Sequence, residues 1–206
     1  MGQNLKFYKK NVFFLLIHIS FFMYSSSVFA QTKTLEINQS KSTVEFLAIG
    51  NPSALKIKGE KAKVSGVVTL VGNIIEAKFK VDLNEFVTGI DMRDEHMKEK
   101  YFETEKNENR YSTLEISNVK LPDSFWIKNE EFKGGFKGKL KLHNVENDIL
   151  CNITFSPYKK GEELVSLTKF SLKISDFKIE IPSFVGITMA EVVDVEVKLF
   201  LNAVDK

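Results

Sequence analysis

From Ile75 to Leu83 the chain alternates without a break. Ile75, Ala77, Phe79, Val81 and Leu83 are apolar, and Glu76, Lys78, Lys80 and Asp82 between them are charged. Successive side chains of an extended strand point to opposite faces, so this run is a strand with one dry face and one wet face. The pattern returns three times. Phe132, Gly134, Phe136, Gly138, Leu140 and Leu142 oppose Lys133, Lys137, Lys139, Lys141 and His143. Phe170, Leu172 and Ile174 oppose Lys169, Ser171 and Lys173, and Val193, Val195, Val197, Leu199 and Leu201 oppose Asp194, Glu196 and Lys198. Weaker runs lie at Thr34–Ile37, Thr43–Ile49, Lys63–Val71, Leu114–Val119 and Ile149–Phe155, with turn signals between them such as Gly72-Asn73, Pro122-Asp123 and Glu146-Asn147-Asp148.

Eight or nine one-faced strands with no helices alternating among them predict an all-β antiparallel architecture. Several runs are long, and at about 3.3 Å per residue they favour an elongated up-and-down barrel over a sandwich. A transmembrane barrel would turn its apolar face outward; the Lys-rich opposite face here argues for a barrel with its apolar face inside. The expected inner wall carries Phe46, Phe79, Val81, Phe132, Phe136, Leu140 and Leu142. It continues through Ile153, Phe155, Phe170, Leu172, Val195 and Val197. Gly134 and Gly138 on that face read equally as room for a cavity or as a tight bend.

One segment breaks the alternation. Residues 91–100 (Asp-Met-Arg-Asp-Glu-His-Met-Lys-Glu-Lys) are polar and rich in helix formers. Asp91 is placed to cap the first turn, Asp94 and Glu95 to meet the positive end of the helix dipole, and Asp94 to pair with Lys98. The segment reads as a short helix over one end of the barrel. Arg93, Asp94, Glu95 and His96 form the densest polar group. They are either a head-group or anion contact at a cavity mouth, or a helix whose Arg and Asp hold neighbouring backbone.

The N-terminus carries a different signal. Lys6, Lys9 and Lys10, with no acid nearby, precede an almost wholly apolar stretch from Val12 to Tyr24, and Ser25–Ala30 ends in a small-x-small pattern. This predicts a signal peptide over 1–30, cleaved after Ala30, and a single domain over 31–206 in the periplasm or outside the cell. The apolar run falls short of the ~20 residues a spanning helix needs. Six of the 18 phenylalanines belong to this segment, and the net charge of +2 becomes −1 for residues 31–206. Neither value marks a nucleic-acid binder. A single cysteine, Cys151, forms no intrachain disulfide and is expected to be buried. His96 and His143 share no metal-ligand spacing, and His143 reads as solvated. No nucleophile elbow, zinc-protease or phosphate-loop motif is present, so neither catalytic residues nor a metal or cofactor is expected.

Thr88-Gly89-Ile90-Asp91-Met92-Arg93-Asp94-Glu95-His96-Met97 resembles the T-G-x-x-x-R-D-x-H-L block of the YceI-like lipid- and polyisoprenoid-binding family. Tyr101-Phe102-Glu103, Lys106–Ile116, Phe136–Leu142 and Val193–Leu201 resemble further blocks in the same order, so the likeness spans residues 32–204. Ala48 stands where the family often has His, Ser112 where it has Pro, and His143-Asn144-Val145 replaces a G-V-T turn. The resemblance implies a lipocalin-like barrel, not an enzyme, whose apolar wall residues named above bind a long isoprenoid such as a polyprenyl phosphate or quinone, or a similar lipid. It places Arg93, Asp94 and His96 near the helix or the mouth. A side-chain-filled interaction module and an enzyme acting on a lipid head group are the alternatives, and an exposed apolar rim is compatible with a homodimer.

Overall fold

The computed structural model describes residues 32–51, 55–184 and 186–203; the segment read as a signal peptide lies outside them. The strand segments are β1 (Thr32–Ile37), β2 (Thr43–Asn51), β3 (Lys56–Ala62), β4 (Val64–Val71), β5 (Ile74–Asp82) and β6 (Tyr111–Lys120). They continue with β7 (Phe132–Leu142), β8 (Val145–Phe155), β9 (Leu164–Lys173), β10 (Ser183–Phe184) and β11 (Ile187–Ala203). All pairings are antiparallel. They run β1-β4-β5-β6-β7-β8-β9-β11, and β11 pairs back with β1 to close the ring. β2 continues β1 along the same edge of β11, and β3 runs into β4 with only Lys63 between them. The segments therefore form eight staves of a closed up-and-down barrel, with β10 a short hairpin arm on β11. Closure leaves no long edge to pair with another chain.

The alternation read from the residues is the wall itself. Along β8, Ile149, Cys151, Ile153 and Phe155 are buried, while Leu150 and Asn152 between them are exposed. On the outside, charges meet across strands, as in the Lys169–Glu196 pair at 2.8 Å. Two bulges at residues of positive φ bend the sheet. Asn118, at φ +60°, shifts the β5–β6 register, and Lys61, at φ +71°, shifts β2–β3. Each puts an extra residue on one strand and adds curvature. Beside the second bulge, the Phe46 ring lies across Gly59, where any side chain would collide with it.

Gly134 and Gly138 do not line the cavity. A Cβ at Gly134 would stand 2.8 Å from the Phe132 ring, and one at Gly138 would stand 2.8 Å from Leu114. Both are places where a neighbouring side chain packs onto bare backbone. Burial of the single cysteine is as expected: Cys151 is enclosed, and desolvation pushes its thiol up to about 12.

In an up-and-down barrel alternate connections share an end. One end collects turn 72–73 and loops 121–131 and 156–163, and Leu121 N–H binds the Asn73 carbonyl at 2.8 Å. Here the helical turn α3 (Phe125–Lys128), which follows α1 (Asp91–His96) and α2 (Asn107–Arg110) in the chain, reaches into the barrel. The Phe125 ring meets Trp126 at 5.0 Å, Phe155 at 6.0 Å and Phe132 at 6.4 Å, and Trp126 meets Tyr158 at 5.1 Å. Edge-on rings at these separations fill space well, and they plug this end. The other end collects Leu55 and residues 83–110, 143–144 and 174–184.

Candidate functional site: an apolar cavity and its mouth

Beyond the plug the barrel is hollow. A cavity of about 610 Å³ runs to the opposite end, so the barrel is not filled with side chains. Nine of the thirteen expected wall residues line it: Phe46 on β2, Phe79 and Val81 on β5, Leu140 and Leu142 on β7, Phe170 and Leu172 on β9, and Val195 and Val197 on β11. The other four do not. Phe132, Phe136, Ile153 and Phe155 are packed in the filled half, where α3 supplies partners that alternation does not reveal. Reading along the chain also missed Leu55, Ile57, Phe86, Met97, Phe102 and Met189, which line the cavity from loops, helix and strand ends. Phe86 and Phe102 bracket the polar segment, and Phe102 also falls in the Tyr101-Phe102-Glu103 block. They close on Phe46 with ring centroids 5.1 to 6.4 Å apart.

The helix over 91–100 is present with a change of geometry. Asp91–His96 is α-helical (α1), and Met97–Tyr101 continues it as a wider π turn. The excursion is pinned where it leaves and rejoins the barrel. Arg110 donates from Nε at 3.0 Å and from a terminal nitrogen at 2.7 Å to Asp82 Oδ2, while Asn84 N–H donates to the other oxygen at 3.0 Å. Partial burial pushes the Asp82 carboxyl up, but those bonds outweigh it and hold it below the usual range.

Asp91 does not cap the helix. The cap position is Ile90, which offers no side-chain bond. Gly89, at φ +84°, turns the chain so that Thr88 lies over the first turns. Asp94 accepts from the Thr88 N–H at 2.7 Å and from its hydroxyl, and is nearly buried. That contact replaces the expected Asp94–Lys98 pair. Arg93 donates from Nε to Thr88 Oγ1 at 2.7 Å and from a terminal nitrogen to the Thr88 carbonyl at 2.6 Å. Arg93 and Asp94 thus clamp Thr88 from both sides, and two donors and two acceptors are satisfied in one motif. Arg93 and exposed His96 also line the cavity; Asp94 does not. Around this rim stand Ile90 and Met92, 54% and 66% exposed.

His143 is the clearest departure from expectation. Its side chain is only 12% exposed. His143 and Asn144 take φ +50° and +55°, the conformation of a two-residue hairpin turn, and this swings the ring inward. Nδ1 lies 3.1 Å from the Phe177 carbonyl and Nε2 lies 2.9 Å from Glu103 Oε2. Both partners are acceptors, and each ring nitrogen faces one of them. Lys106 and, after it, His143 hold the Glu103 carboxyl below its ordinary value. The ring therefore staples the helical excursion to the 174–177 turn, two of the connections that frame the mouth. Among the described residues no cluster of three or more His, Cys, Asp or Glu could hold a metal ion.

A family model described as YceI-like domain matches residues 35–203. No curated protein matches the chain. Among solved structures, it is similar to a polyisoprenoid-binding domain from Saccharophagus degradans implicated in plant cell wall breakdown. The TM-score is 0.68 and the identity 18%, over 84% of this chain and all of that one. It is also similar to BcnA of Burkholderia cenocepacia, with a TM-score of 0.63 and 16% identity over 80% of this chain and 99% of that one. The Campylobacter jejuni YCEI protein gives 0.51 and 16%, over 69% of this chain and 82% of that one. At these identities the likenesses bear on the fold.

Proposed function

The chain belongs to the YceI-like domain family, and from that premise we propose that it binds and carries one long-chain lipid, an isoprenoid or a comparable tail, without chemical change to it. The observation that carries this reading is the cavity: apolar, plugged at one end and open at the other. A relative of the same fold is described as polyisoprenoid-binding. A cavity of ~150 Å³ takes up one benzene, or ~25 Å³ per carbon, so 610 Å³ houses about 24 carbons. At ~0.8 kcal/mol per buried methylene, half of such a tail offsets most of the ~4–15 kcal/mol cost of association. Export through residues 1–30, with cleavage after Ala30, belongs to the same proposal. A protein that holds a tail out of water suits the aqueous space beside a membrane.

Native mass spectrometry of the protein purified from a membrane-containing host tests the reading. One bound lipid per chain is expected. Ala48 lines the cavity, so Ala48→Trp should remove that lipid while leaving the circular dichroism of the barrel intact. A lipid-free protein that also fails to take up a 20-carbon isoprenoid alcohol overturns it.

A further inference from the structure

The charges that line the cavity are all of one sign. Arg93, His96 and Lys100 line it at the mouth, and no Asp or Glu lines it anywhere among the described residues. The helix sorts its own charges to make this so. Asp91, Glu95 and Glu99 are exposed and absent from the lining, and Asp94 is turned to Thr88. Among the described residues none of Arg93, His96 and Lys100 has an acidic partner within 4.0 Å; Arg93 spends Nε and one terminal nitrogen on Thr88, which leaves the second terminal nitrogen without a protein acceptor. Lys100 only overlies the Tyr101 ring, 5.4 Å from its centroid. Cations gathered at the rim of a low-dielectric cavity repel one another, and an anion placed among them relieves that repulsion.

We propose that this rim is an anion site, and that the lipid is an acidic amphiphile whose phosphate or carboxylate head sits among Arg93, His96 and Lys100 with its tail toward the Phe125 plug. The inference rests on the lipid reading above and narrows it: a neutral head would leave the Arg93 and Lys100 charges unmatched. Arg93 supplies the fixed donor, because Thr88 holds its guanidinium in place. His96 and Lys100 supply exposed, adjustable ones.

The test compares heads on identical tails. Geranylgeranyl phosphate and geranylgeraniol, and arachidate and eicosanol, compete for a neutral fluorescent probe in the cavity of the full barrel. Each acid should bind at least about tenfold more tightly than its alcohol, the scale of one charge-assisted hydrogen bond. The double variant His96→Gln, Lys100→Gln spares the Thr88 clamp. It should weaken the acids about tenfold and leave the alcohols unchanged. A preference shown by the phosphate alone, or by the carboxylate as well, supports the site and identifies which head it takes. Equal binding of acids and alcohols, or equal loss of both in the variant, overturns it while leaving the lipid reading standing. Failure of every tail to bind overturns both.

Discussion

Phe155 and Phe170 lie on neighbouring strands, both point inward, and both belong to regular alternating runs. Phe155 meets Phe125 and Phe132 and is almost completely enclosed; Phe170 faces the cavity. The same wall thus encloses solid packing at one end and empty space at the other. The difference comes from the connections, not the strands. At the plugged end loop 121–131 turns inward through α3 and delivers an aromatic cluster. At the open end the helical excursion lies across the rim and turns its basic and apolar side toward the hollow.

Truncating one ring in each half breaks the comparison most sharply. Phe155→Ala removes a fully enclosed side chain, and the cost expected for such a change is about 3–5 kcal/mol. Phe170→Ala should fall below that range, because a ring beside a void already lacks partners on one side. Denaturant titration of both variants measures the gap. Lipid uptake should survive Phe155→Ala wherever the variant stays folded, and should change in Phe170→Ala. Equal costs would mean that the cavity is closed by repacking in solution.

The eight staves were nearly all legible along the chain. The run Ile75–Leu83 reappears as β5 within one residue at each end, and Phe132–Leu142 is β7. Period-two alternation is a local property, and burial on one face enforces it. What alternation cannot carry is depth. Phe132 and Phe136 look like Leu140 and Leu142 in sequence, yet only the latter pair reach the cavity. α3 is four residues long and has no periodicity to read. The mouth was legible as chemistry but not as geometry. The Arg-Asp-Glu-His group lies at the rim, but Thr88's place within it depends on the positive φ of Gly89, and His143 is buried by Glu103 and Phe177, 40 and 34 residues away.

The Thr88 clamp comes next in size. Asp94→Ala would leave the Thr88 N–H and hydroxyl without their acceptor in a partly buried place, at an expected cost of about 1–3 kcal/mol. The loss should be local. Amide exchange over 88–101 should accelerate far more than exchange over 125–136, because the plug shares no residue with the clamp. Uniform acceleration across both halves would show that the two ends unfold as one unit.

Acid separates the two ends by a smaller, reversible effect. Lys106 and His143 hold the folded Glu103 carboxyl below its ordinary 4.5. The contribution of a carboxylate depressed in this way is present above its unfolded pKa and lost as pH falls through the folded value. Below about pH 4.5 the staple between Glu103 and the 174–177 turn should therefore loosen, and amide exchange over 97–110 and 174–178 should rise. Glu163, held down by Lys41 and Asn38, loses its tie in the same range. That tie joins turn 38–42 to the loop before β9, and its partners are not in α3. The plug is held by aromatic contacts that exchange no proton, so residues 125–136 should keep their protection. Glu103→Gln should remove the acid sensitivity of 174–178 and lessen that of 97–110, where the Asp82–Arg110 tie still titrates, while leaving that of turn 38–42. If the mouth segments stay protected in acid until the whole barrel unfolds, the His143–Glu103 staple is not what holds the excursion to the barrel, and the Arg110–Asp82 pair at its base is the remaining tie to test.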